Sequence, residues 1–181
     1  DTIITCDNGI SAVEQIVHGK ALGMTVLVTD HHEVPYEEAE DGSVHTVLPP
    51  ADAIVNPKQE DCTYPFKGIC GAMVAFKVIW GLYESLGIPT DEMKKLIPFA
   101  AIATVGDVMD LTDENRIIVK EGLLRLQNPE NIGLKALIRV NNLEDRELTA
   151  YHIGFILGPC MNASGRLSTA KRALELLLTE D

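Results

Sequence analysis

The sequence predicts an α/β fold: a small parallel sheet on the N-terminal side with helices packed around it, followed by a mainly helical C-terminal half. Three observations carry this reading. Two apolar runs, Thr2-Ile3-Ile4-Thr5-Cys6 and Met24-Thr25-Val26-Leu27-Val28, are each followed closely by an aspartate, Asp7 and Asp30, and a segment of helical character joins them. A third short run, Ala53-Ile54-Val55, stops at Asn56-Pro57. Beyond residue 56 almost every apolar pattern has helical period.

The elements follow in order. Ser11 to Gly23 reads as the crossover helix, with Ala12, Val13, Ile16, Val17 and Leu22 roughly on one face, Ser11 as cap and Gly23 as stop. The acidic, proline-bearing stretch Glu33 to Pro50 reads as a loop. Gly71 to Leu86 is predicted helical and well buried, because Met73, Val74, Phe76, Val78, Ile79, Trp80, Leu82 and Tyr83 leave few polar positions. A second helix is expected over Asp91 to Val105, capped by Thr90 or Asp91 and ending at Gly106-Asp107. Asn115 to Leu126 and Ile132 to Val140 are amphipathic helices. Thr149 to Leu157 is another, broken by Gly158-Pro159, and a last helix runs around Thr169 to Leu178.

Composition bounds what such a chain does. Its 181 residues suit one sizeable core, or one domain and the start of another, and 46% hydrophobic with 5% aromatic residues is ordinary for a globular domain. No window approaches the roughly 18 uninterrupted apolar residues of a membrane span. A net charge of −12 argues against broad, nonspecific nucleic-acid binding by this segment alone, although bound divalent cations reverse local sign. Cys6, Cys62, Cys70 and Cys160 show no C-x-x-C or zinc-like spacing, and a reduced cytoplasmic protein is expected. The chain opens at Asp1 almost inside a strand, as an excised fragment would.

Parallel strands joined by a crossover helix bring their carboxyl ends to one edge of the sheet, where open α/β folds bind ligands. Asp7, Asp30, His31 and His32 all belong to that edge. A lone strand-end aspartate such as Asp7 also suits a helix cap in a tight turn with Asn8 and Gly9. An acid followed by two imidazoles is harder to account for without a ligand, since burying them requires partners. Imidazole suits Mn²⁺, Zn²⁺ or Fe²⁺ and carboxylate suits Mg²⁺ or Mn²⁺, so the mixture favours manganese. Asp107 leaves the apolar stretch Phe99 to Val105 and either bridges neighbouring helices or reaches the same metal. Asn162-Ala163-Ser164-Gly165-Arg166 reads as a basic, glycine-containing loop entering a helix, a phosphate clamp or a simple turn. Lys67-Gly68-Ile69-Cys70-Gly71 lacks the G-K-[ST] pattern of a P-loop.

Together these residues resemble the DHH phosphoesterase superfamily, whose naming triplet is here Asp30-His31-His32, and within it the RecJ-type single-strand-specific 5′→3′ exonucleases. The likeness is carried by Thr5 to Ser11, Val28 to Glu33, Val55 to Lys58, Tyr64 to Gly71, Ala103 to Val108 and Leu111 to Arg116. For the RecJ type it rests on Gly158 to Leu167, similar to that family's G-P-R-I-N-A-A-G-R-L segment, with Cys160 replacing its arginine while Asn162 and Arg166 match. The resemblance implies residues 1–140 as an N-terminally truncated DHH domain, lacking the family's Asp-x-Asp strand, and residues 141–181 as a helical segment leading to a missing DHHA1-type domain. It implies two Mn²⁺ or Mg²⁺ ions, with Asp7 bridging and His31 and Asp107 as further ligands. His32 would touch the phosphate, Asp30 would orient a neighbouring imidazole, and Asn162 and Arg166 would bind a substrate phosphate. The expected activity is degradation of single-stranded DNA in repair and recombination, by a monomer free of membranes and able to meet a single-strand-binding protein or helicase. The isolated fragment is expected to be weakly active or inactive. The alternatives are another DHH phosphoesterase, acting on oligoribonucleotides, cyclic dinucleotides or pyrophosphate, or a non-catalytic binding domain with this fold.

Overall fold

The computed structural model describes every residue except Ser168, with only the backbone described over 164–167. Two compact units divide the chain, residues 1–85 and residues 86–181.

In the first unit β1 (Thr2–Ile4), β2 (Thr25–Thr29) and β5 (Ala53–Val55) form a parallel sheet in the order β1-β2-β5. Ile4 pairs with Leu27 and Thr29 with Val55, so the strand ends are in step. β2 is central, and its Val26 and Val28 are buried with Ile16 of α1 (Val13–Ala21). β1 is an exposed edge strand. The crossover helix is thus present as predicted, but shorter. Ala12 occupies the N-cap position with no side-chain cap bond, so Ser11 is not the cap.

The predicted loop between residues 33 and 50 contains a small hairpin, β3 (Tyr36–Glu38) against β4 (Val44–Thr46), closed around Asp41, whose carboxylate accepts from the Ser43 N–H and hydroxyl. Both strands are exposed throughout, which is why no burial pattern betrayed them. Helix α2 (Gly71–Ser85) has the predicted extent, yet its buried residues are confined to Gly71, Met73 and Val74, at its first turn.

The second unit is helical: α3 (Ile97–Gly106), α4 (Asp113–Leu126), α5 (Ile132–Val140), α6 (Ala150–His152), α7 (Gly158–Leu167) and α8 (Lys171–Leu178). The single helix predicted over 91–105 is a 3₁₀ turn, Thr90–Leu96, running into α3. Pro98 sits at the start of α3, where its missing N–H costs no helical bond. Gly158-Pro159 does not break the chain's helical course. A π-helical segment, Ile153–Leu157, carries the Gly158 N–H to the Ile153 carbonyl, and α7 starts afresh with proline in its first turn. The expected loop at 160–167 is therefore helix. Packing holds the unit together: Ile102, Leu126, Leu134, Leu137, Ile138, Leu143, Leu148, Ile153 and Leu157 form one buried cluster. His152, given no role from sequence, closes a capping box with Thr149.

Candidate metal centre

The strand ladder continues past the strands and delivers the acids to the sheet edge. The Asp7 N–H donates to the Thr29 carbonyl at 3.0 Å, and the Asp30 N–H donates to the Val55 carbonyl at 3.0 Å. Threonines stitch the two turns together: the Thr29 hydroxyl donates to the Thr5 carbonyl, while Thr5 Oγ1 accepts from the Thr29 N–H and donates to the Asn8 carbonyl. Gly9, at φ +112°, lies where a Cβ would meet Thr5 Oγ1 at 2.9 Å and Val28 Cγ1 at 3.1 Å, so the turn closes tightly only with glycine there. Asp7 itself adopts the left-handed conformation, φ +63°, which aspartate tolerates better than most residues.

This geometry aims the Asp7 carboxylate at His31, Nε2 to Oδ1 3.0 Å, with the imidazole buried and the carboxylate half exposed. It is not a helix cap. Asp7, His31 and His32 each offer one ligand atom, and all three atoms lie within 4.8 Å of one another. A carboxylate oxygen with two imidazole nitrogens at that separation suits a first-row divalent ion such as Mn²⁺.

Asp30 plays a different part. It is 1% exposed, and its carboxylate accepts from the Ile10 N–H at 2.9 Å, the His31 N–H at 2.8 Å, the His32 N–H at 3.3 Å and His32 Nδ1 at 2.6 Å. Burial alone pushes this carboxyl upward, but the bonds from Ile10, His32 and His31 outweigh it and hold the group below the usual carboxylate range. Asp30 thus fixes both the triplet's backbone and the orientation of the His32 ring. Burial and the Asp7 charge push the neighbouring Cys6 thiol up.

Asn56 was given no site role from sequence, where it reads as a strand stop and as part of the Val55 to Lys58 likeness. Buried at the same sheet edge, it donates from Nδ2 to the His32 carbonyl at 2.9 Å and accepts the Lys58 N–H on Oδ1 at 2.8 Å. An asparagine placed directly after a strand, at the edge that bears the acids, was the available signal.

The other expected residues lie in the second unit. Asp107 follows α3 as its C-cap residue, exposed, with its N–H donating to the Ala103 carbonyl. Asn162 is exposed on α7, and the Arg166 side chain lies outside the described residues.

Residues 1–105 match the DHH family, N-terminal domain. Over 179 residues the chain is 44% identical to the single-stranded-DNA-specific exonuclease RecJ of Bacillus subtilis, covering 99% of this chain and 21% of that protein. It is 34% identical over 181 residues to RecJ of Thermus thermophilus, covering 100% of this chain and 24% of that protein. The crystal structure of Thermus thermophilus RecJ in complex with Mn²⁺ superposes with a TM-score of 0.81 at 34% identity, over 100% of this chain and 25% of that one. The Mg²⁺ complex of the same protein gives 0.65 at 28% identity, over 99% and 29%. The chain thus spans about a fifth to a third of the length of the curated relatives it matches.

Proposed function

The chain belongs to the DHH family, and from that premise we propose that it is the metal-holding part of an exonuclease that degrades single-stranded DNA from the 5′ end. The observation that carries the reading is the convergence of Asp7, His31 and His32, ligand atoms within 4.8 Å, at the carboxyl edge of the sheet. Relatives named as single-stranded-DNA-specific exonucleases, and a relative's structures with Mn²⁺ and Mg²⁺, support it.

In this reading Asp7 and His31 would hold the metal ions. Mn²⁺ or Mg²⁺, when bound, supplies a water of lowered pKa and positive charge against the phosphodiester. His32, its ring held by Asp30, would meet the scissile phosphate. The bond from Nδ1 to Asp30 keeps the proton on that nitrogen and makes Nε2 the working atom. Asn56 and Asp30 hold the triplet's backbone and so cost the site no reorganisation during reaction. Asp107 joins the metal shell, and Asn162 and Arg166 contact a substrate phosphate; all three rest on their family motifs alone. Residues 1–140 form the catalytic portion and 141–181 lead towards a further domain. The whole protein acts as a monomer in the cytoplasm, in repair and recombination, and meets single-strand-binding protein or helicase partners. Among the described residues no helix is long and apolar enough to cross a membrane.

The test is Mn²⁺-dependent release of nucleotides from 5′-labelled single-stranded DNA by the complete enzyme. Asp7→Ala and His31→Ala are each expected to lower kcat about 100-fold or more, and Asp107→Ala to weaken Mn²⁺ binding. Full activity in the Asp7 or His31 variant would refute the site.

A further inference from the structure

We infer that Gly71, the first residue of α2, is a positioning residue for the metal centre: its lack of a side chain is what lets Asp7 stand where it meets His31. The inference rests on Asp7 being a metal ligand. A Cβ built on Gly71 would lie 2.5 Å from the Asp7 Cβ and 2.6 Å from its Cγ, closer than non-bonded carbons approach. Rotating the Asp7 side chain gives no relief, because Cβ lies on the rotation axis and does not move. A backbone must shift, and both are held. The Asp7 N–H is bonded to the Thr29 carbonyl, and its turn is locked by Thr5 and by Gly9. On the other side, Ile69, Cys70, Met73 and Val74 are each 2% exposed and hold the first turn of α2 in the core. A methyl group at position 71 therefore displaces Asp7 from the 3.0 Å contact with His31 Nε2. Metal–ligand distances tolerate only about 0.2 Å, so even a small displacement is felt by an ion.

The same helix supplies the control. A Cβ at Gly81 meets nothing within 4 Å, so Gly81→Ala adds a methyl group to α2 without touching Asp7.

Two measurements on the complete enzyme test this. The first is Mn²⁺ affinity by electron paramagnetic resonance: Gly71→Ala is expected to bind about tenfold or more weakly, and Gly81→Ala as tightly as the parent. Parental affinity in Gly71→Ala would overturn the inference. The second is a thermal-stability cycle without metal. Gly71→Ala should lower Tm when Asp7 is present and cost little in an Asp7→Gly background, where the opposing Cβ is gone. Equal losses in both backgrounds would overturn it. If Gly71→Ala alone does not fold but the double variant does, the steric coupling stands; if neither folds, it fails. Should Asp7→Asn bind Mn²⁺ like the parent, the metal reading fails by itself, while the stability cycle still decides whether Gly71 sets the place of Asp7.

Discussion

Residues 1–85 and residues 86–181 both bury an apolar core, but they differ in the polar side chains buried beside it. In the first unit Thr29, Asp30, His31 and Asn56 lie in the interior, at or just past the carboxyl ends of β2 and β5, and hydrogen bonds to backbone groups account for three of them. In the second unit the interior is chiefly aliphatic, a cluster from Ile102 to Leu157, with Thr104 and Asn115 as its buried polar residues among those described. Buried polar groups stabilise little net of desolvation, yet they are costly to leave unpaired and they fix direction. Apolar packing stabilises more but is tolerant of shape. The first unit adds contacts of the first kind to its apolar core where the His31 and His32 backbone is held, and the second unit relies chiefly on the second kind.

Removing apolar volume from the second unit should produce the largest loss of stability. Leu134 is 0% exposed in the core cluster, and Leu134→Ala is expected to cost about 2–5 kcal/mol, read as the denaturation midpoint by far-ultraviolet circular dichroism. A cost under about 1 kcal/mol would place this core among those that collapse around a lost side chain, and the contrast would break.

A smaller loss of stability is expected from the polar anchor of the first unit. Asn56→Ala strands the His32 carbonyl and the Lys58 N–H, both bonded in the parent, for about 1–3 kcal/mol. The single tryptophan, Trp80, lies on α2 in this unit, so urea unfolding followed by its fluorescence reports the change. An unchanged midpoint would mean that Asn56 fills space without fixing the triplet.

The two units were also legible to different degrees. The sheet edge could be read directly, because Asp7 and Asp30 end apolar runs that a crossover helix forces to be parallel, and His31 and His32 follow without a break. The helix Ile132–Val140 was equally plain from its amphipathic pattern, and the structure adds that Asn131 caps it through the Leu134 N–H. What escaped has physical reasons. The hairpin of β3 and β4 buries neither face, so it has no hydrophobic alternation. Pro159 reads as a break, and only the π-helical turn before it shows how the helix proceeds. Apolar composition suggested that α2 is buried, whereas Leu82 is 52% exposed; composition records what a face could bury, not what covers it. Gly71 reads as an ordinary helix start, since no pattern in one chain reveals that a residue 64 positions away occupies the space of its missing side chain.

The smallest expected effect concerns a charge that ties the first unit's elements together away from the metal centre. Asp52, just before β5, accepts from Lys20 Nζ of α1 at 2.5 Å and from the Val26 N–H of β2 at 2.7 Å. The Lys20 bond, then the Val26 bond, hold its carboxyl below the usual range, with burial opposing weakly. A carboxyl lowered on folding binds its proton more weakly in the folded chain than in the unfolded one. Its contribution is therefore complete above the unfolded value of about 3.9 and is lost as pH falls through the lower, folded value. Asp52→Asn should reduce stability near neutral pH and flatten its decline in acid, so that parent and variant converge towards low pH. Measuring Tm from neutral pH into acid checks this. A constant gap across that range would show that the asparagine lost packing instead of charge, and that the first unit, like the second, depends on shape at this point.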